Sequence, residues 1–109
     1  MGTENLQGAL ELLVLQTLER GPEEGMHGFG IAEHVLTVSE TLLRVEEGSL
    51  YPALHRMEQH GWIVATWGLT ANKRRARYYR LRPAGRRELV RQRGDWKQTA
   101  AAVAAFLEA

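Results

Sequence analysis

Eleven of the fourteen basic side chains fall between Lys73 and Lys97, where Glu88 and Asp95 are the only acids, a local balance of +9. Residues 1–72 carry three arginines against ten glutamates, a balance of −7, so the net charge of +1 conceals a strongly polar distribution. A dense run of guanidinium groups sets up a positive field that draws a polyanion even to a nearly neutral molecule. The densest part is Lys73, Arg74, Arg75 and Arg77. The same run also fits a solvated helix face, and charge alone leaves both readings open.

Other chemistry finds little footing. There is no cysteine, which removes disulfides, thiolate metal sites and cysteine nucleophiles. His27 and His34, and His55 and His60, lack a recognised ligand spacing, so no metal and no cofactor is expected. Gly25, Gly28 and Gly30 fail as a dinucleotide loop because Glu33 stands where the third glycine belongs. Ser39 and Ser49 sit in no nucleophile-elbow context, and the chain is read as a non-enzyme.

With 109 residues, 44% hydrophobic and 25% charged, the chain describes one ordinary domain with a small core. A core of that size gains from a shared interface, which makes dimerisation an early expectation. The longest apolar stretch, 99–107, is far short of the roughly 20 residues of a membrane span. The N-terminus shows no basic-then-apolar leader, and a cytoplasmic location is expected.

The elements that position the basic cluster follow from periodicity. Leu6, Leu10, Leu13, Val14 and Leu18 recur at helical spacing, and Leu12 and Leu15 make that helix apolar on more than one side, so it needs two partners. Gly21 and Pro22 end it. Phe29, Ile31, Ala32, Val35 and Leu36 predict a short second helix with weak capping signals. A third starts near 47–49, carries Leu50, Leu54 and Met57 on one face, tolerates Pro52 in its first turn, and ends at Gly61. The runs 62–67 and 77–81 read as paired strands around a nine-residue loop, 68–76, with Trp62 and Trp67 packing the core and sheet. Pro83 restarts a helix to about Leu107, in which Leu89, Arg93, Trp96, Ala100, Val103 and Leu107 keep a heptad rhythm, weakened at Arg93 and Gly94.

Three helices, a hairpin with a basic tip and a final long helix give a mainly α fold with a small β-hairpin: a winged helix-turn-helix plus a C-terminal dimerisation helix. The expected division is a DNA-binding domain over 1–82 and a dimerisation helix over 83–109. The third helix leaves Ser49, Tyr51, Pro52, His55 and Arg56 off its apolar face, suited to a major groove and its phosphates. Lys73, Arg74, Arg75 and Arg77 on the wing supply backbone contacts to double-stranded DNA. Tyr51 reads either as a phosphate donor or as a half-buried packing residue, whereas Glu46 and Glu47 are structural acids at a helix N-terminus. Trp96 is either an interface filler or a plate for a flat effector. The expected dimer interface is Leu6, Leu10, Leu13, Leu89, Trp96, Ala100, Val103 and Leu107.

The segments 47–58, with Gly61-Trp62-Ile63 after them, and 75–81, with Gly85-Arg86, closely resemble the PadR family of bacterial transcriptional regulators. Leu6-Gln7-Gly8 and His27-Gly28-Phe29-Gly30-Ile31 extend the resemblance over nearly the whole chain. It implies a dimeric winged-helix repressor whose last helix crosses to the partner subunit, often released from DNA by a small aromatic or cationic compound, and two-fold symmetry then predicts a palindromic operator. Three features depart from the family pattern. Phe29 replaces a common tyrosine, Arg82 stands where threonine commonly caps the last helix, and the C-terminal region is a single short helix. The alternative is a winged-helix module that docks an acidic protein partner through its wing.

Overall fold

The computed structural model describes residues 9–109, and Leu6 lies outside them. The apolar pattern of the first helix, α1 (Leu10–Arg20), decides where the other elements sit. Its buried Leu10, Val14, Leu15 and Leu18 give it packing surfaces toward α2 (Gly28–Val38), α3 (Glu47–Gln59) and α4 (Pro83–Glu108). Thr17, buried among them, satisfies its hydroxyl by donating to the Leu13 carbonyl at 2.8 Å. Leu15, Ile31, Leu50, Leu54 and Met57 form the fully buried centre.

Two antiparallel strands, β1 (Ile63–Leu69) and β2 (Arg75–Leu81), make the hairpin, with Ile63 opposite Leu81 and Leu69 opposite Arg75. The strands run farther than the sequence predicts, because Gly68 is not a turn residue. It sits in register with Ala76, and the Tyr78 ring lies over it: a Cβ there would come within 2.9 Å of the ring. The Tyr78 hydroxyl then donates to the Leu69 carbonyl at 3.0 Å. The expected nine-residue loop shrinks to 70–74, closed by the Lys73 amide donating to the Thr70 carbonyl at 2.8 Å, with Lys73 in the left-handed region at φ 61°.

At its base the hairpin is clamped from two sides. Met26 exchanges both backbone hydrogen bonds with Tyr79, at 3.1 and 2.9 Å, and Gly25 permits this approach with φ 95°. On the other side the Arg82 amide donates to the Trp62 carbonyl at 2.9 Å, where α4 begins with Pro83 and no side-chain cap. Gly85 passes so close to the Trp62 carbonyl that a Cβ has no room. Helix α4 then leaves the core: Leu89 is its last buried residue, and everything from Gly94 onward is exposed.

Candidate nucleic-acid interface

Helix α3 is anchored by Leu50, Ala53, Leu54 and Met57, which turns the opposite side outward. Its end is set by Gly61 at φ 76°: the Gly61 amide reaches the Glu58 carbonyl and the Trp62 amide reaches Met57, a paired C-terminal cap that only a left-handed residue completes. Trp62 follows the cap, half-buried against the core and stacked on His60 at 4.5 Å. Pro52 lies in the second turn rather than the first. The carbonyl it leaves without an amide belongs to Gly48, which is exposed and open to water.

The outward face of α3 divides into two flanks. Tyr51, His55 and Glu58, at helical spacing, look toward the hairpin and line a groove of about 970 Å³ between α3, the start of α2 and the wing. Ser49, Pro52 and Arg56 look the other way, into a smaller hollow beside Leu10 and Glu11 at the start of α1. All five of the α3 residues expected to meet DNA are exposed. The structure thus places them on one helix face but in two separate depressions.

The far wall of the larger groove is the wing. Arg74, Arg75 and Arg77 line it with Trp67 and Tyr79, whereas Lys73 sits at the exposed tip. Arg77 reaches across to α3 and donates to Glu58 at 2.8 Å, tying the strand to the helix. Beneath that pair, burial raises the Tyr79 phenol above its ordinary pKa, an effect that the nearby Arg77 charge partly offsets. Arg75 is held differently, its guanidinium lying 4.6 Å from the centre of the Trp67 ring.

Trp67 corrects the sequence reading, which gave it a packing role. It is 62% exposed, because alternation along β1 puts it on the same face as Ile63 and Ala65 but beyond the edge of the core. His27 was also missed as a structural residue. Its Nδ1 accepts the Gly30 amide at 3.0 Å and caps α2, and its ring packs edge-on against Tyr78 at 5.3 Å. A histidine cap carries none of the usual Ser, Thr, Asp or Asn signature, so the sequence offered no sign of it. Gly28 is required because the Tyr51 ring lies against its α-carbon: a Cβ would fall 2.7 Å from the hydroxyl. Tyr51 itself is 44% exposed, packed on one side and open on the other.

The basic run divides as well. On α4, Arg91 bonds Glu88 at 2.6 Å and Asp95 at 2.8 Å, Arg86 pairs with Glu19, and Arg93 donates to Gln16 at 2.7 Å. Those three arginines belong to a largely paired, solvated helix face on which Arg87 and Lys97 meet no carboxylate among the described residues, and the Arg91 hydrogen bond holds the Glu88 carboxyl below its usual pKa. At the wing, Lys73, Arg74 and Arg75 meet no carboxylate among the described residues.

Of the expected interface residues, Leu10 and Leu89 are already buried inside this chain, and Leu13 is half-buried against its core. Trp96, Ala100, Val103 and Leu107 project from α4 into solvent, with Phe106 beside them. Trp96 stands at the edge of a hollow of about 430 Å³ between α1 and α4, with Glu11, Leu12 and Asp95 in its wall. Among the described residues no group of acids and histidines is placed to hold a metal, and no helix is long and apolar enough to cross a membrane.

Residues 14–91 match the model of the transcriptional regulator PadR-like family. The chain is 34% identical to the transcriptional regulator Rv3488 of Mycobacterium tuberculosis over 79 residues, 72% of this chain and 70% of that protein. Among solved structures it superposes on a transcriptional regulator from Clostridium thermocellum with a TM-score of 0.83 and 25% identity, covering 94% of this chain and 97% of the other. A PadR-like transcriptional regulator from Bacillus cereus shares the fold at a TM-score of 0.79 and 24% identity, covering 97% and 98% of the two chains.

Proposed function

The chain belongs to the PadR-like family of transcriptional regulators, and from that premise we propose a homodimeric, sequence-specific DNA-binding repressor. One observation carries this reading. The Tyr51 and His55 flank of α3 and the unpaired Arg74 and Arg75 of the wing border the same groove, so one duplex can engage both at once. Helix α3 enters the major groove, where His55 and Arg56 meet base edges and Ser49, Tyr51 and Pro52 pack along the backbone. Lys73, Arg74 and Arg75 hold phosphates beside it and supply the sequence-independent part of the affinity, while Arg77, the fourth cation of the wing, stays tied to Glu58.

The second copy of the chain covers α4. Val90, Trp96, Val103, Phe106 and Leu107 are each more than half exposed, a stripe of apolar surface that a monomer would leave in water. Residues 1–82 then serve as the DNA-binding unit and 83–109 as the dimerisation helix, working in the cytoplasm. Two-fold symmetry calls for a palindromic operator with half-sites about 34 Å apart. The hollow beside Trp96, walled by Glu11 and by the Arg91–Asp95 pair, offers an indole face to a small aromatic or cationic effector that releases the DNA.

The test is a fluorescence anisotropy titration against the DNA upstream of the protein's own gene and against a scrambled duplex, at about 50 and 200 mM salt. Preferential, salt-sensitive binding at dimer stoichiometry is expected. Absence of binding to any duplex at low salt overturns the reading in favour of a module that docks an acidic protein. Sedimentation of the Val103→Glu variant as a monomer tests the α4 interface. Quenching of tryptophan fluorescence by a planar aromatic cation, lost in Trp96→Ala, tests the effector site.

A further inference from the structure

The wing fixes two arginines by different means. Arg77 is held by the Glu58 carboxylate at 2.8 Å, which offsets its charge. Arg75 is held by the face of Trp67, 4.6 Å from the ring centre, and meets no carboxylate among the described residues. A ring face orients a guanidinium without neutralising it and leaves the N–H groups along its edge free to donate. The indole is 62% exposed, far more than a tryptophan placed for core packing.

Strand register accounts for the arrangement. Residues 63, 65, 67 and 69 share one face of β1, paired with 81, 79, 77 and 75 of β2. The inner pairs reach the core, while Trp67 and Arg75 lie past its rim, where Arg75 is the diagonal neighbour of Trp67 on the side that lines the groove with α3. Nothing in the core requires a tryptophan at this point.

We propose that Trp67 is a positioning residue for nucleic-acid recognition: its indole face holds the Arg75 guanidinium, charge intact, along the wing before a phosphate of the duplex arrives. The inference rests on the DNA-binding reading of α3 and the wing. Its advantage is preorganisation, since a long side chain already in its bound conformation loses less rotamer freedom on binding.

The experiment compares Trp67→Phe, which keeps a ring face, with Trp67→Leu, which keeps apolar bulk but has none. Each is made in the wild-type chain and in an Arg75→Ala background, and titrated against operator DNA over a salt series with a thermal melt of every variant. Trp67→Phe is expected to bind like the wild type. Trp67→Leu is expected to weaken binding about two- to fivefold per wing, the worth of an exposed cation–π contact, with the salt slope unchanged because the arginine is still present. In the Arg75→Ala background, where the slope itself falls by about 0.9 per wing, Trp67→Leu is expected to have no further effect.

Equal losses in the two backgrounds would mean that Trp67 acts through the fold or touches DNA itself, and would overturn the proposal. So would wild-type affinity in Trp67→Leu, or a loss in Trp67→Phe as large as in Trp67→Leu. A different pattern marks failure of the underlying reading: DNA binding untouched by Arg74→Ala, Arg75→Ala and His55→Ala alike sinks the use of α3 and the wing, and this inference with it.

Discussion

Replacing Glu58 by glutamine is expected to tighten DNA binding, although Glu58 lies in the proposed interface and its loss removes an ion pair. The pair is partly wet, with the Arg77 and Glu58 side chains 42% and 22% exposed, so its contribution to folding stability stays below about 1 kcal/mol. Its effect on DNA is larger. Glu58 holds the Arg77 guanidinium at 2.8 Å and sets a negative charge in the groove proposed to take a phosphate backbone. In the glutamine variant Arg77 gains freedom to take a phosphate, which adds one released counterion and steepens the slope of log K against log salt by about 0.9. Relative to 1 M salt, where that term vanishes, one further contact is worth about eightfold in affinity at 0.1 M, or close to 1.2 kcal/mol per half-site. The assay is an anisotropy titration of operator DNA from about 50 to 300 mM salt, with melting curves to confirm that stability has changed little. Weaker binding with an unchanged slope would refute the reasoning. It would show that Glu58 aims Arg77 at the DNA rather than restraining it.

Two glycines of α4 are expected to respond with opposite signs. Gly94→Ala meets nothing within 4 Å and gains helix propensity of about 1 kcal/mol, raising Tm by about 4 °C in calorimetry. Gly85→Ala drives a Cβ into the Trp62 carbonyl and to 2.8 Å from Leu81 Cδ1, an overpacking cost of about 1–3 kcal/mol that outweighs the same propensity gain and lowers Tm. A higher Tm in Gly85→Ala would contradict the packing described at the base of the wing. His27→Ala removes the cap of α2 and is expected to cost about 0.5–2 kcal/mol in urea denaturation, much of it restored by His27→Asn, a residue that caps well. Because the Arg91 hydrogen bond lowers the Glu88 carboxyl in the folded chain, that stabilisation is complete above the ordinary glutamate value of about 4.3 and disappears as the pH falls through the lowered one. Glu88→Gln should therefore flatten the acid limb of a stability–pH curve and lose stability near neutrality.

The order of elements was legible in the residues themselves, because each rule involved is local. Leucines at helical spacing, Gly61 as a left-handed stop, Pro83 as a first-turn residue and the β-branched and aromatic runs flanking a basic turn specify four helices and a hairpin without knowledge of what packs on what. The exposed α3 residues could be named for the same reason: they are what remains when Leu50, Leu54 and Met57 face inward. The family was legible too, from motifs spread along most of the chain, and the match over residues 14–91 bears it out.

What the sequence could not show depends on where elements end against one another. Gly68 carries a turn signal, yet it lies within a strand because a ring from the neighbouring strand covers it. Trp67 has the composition of a core residue and stands outside the core, since strand alternation fixes a face but not how far the core extends along it. The eleven cations of the basic run look alike in sequence. Tertiary structure ties Arg86, Arg91 and Arg93 to neighbours on α1 and α4, commits Arg77 to a glutamate nineteen residues away, and leaves Lys73, Arg74 and Arg75 at the wing, with Arg80, Arg82, Arg87 and Lys97 elsewhere, without a carboxylate partner among the described residues. A positive charge is written in the residue; whether it is spent inside the molecule or offered to a partner is decided by which acid the fold brings within reach.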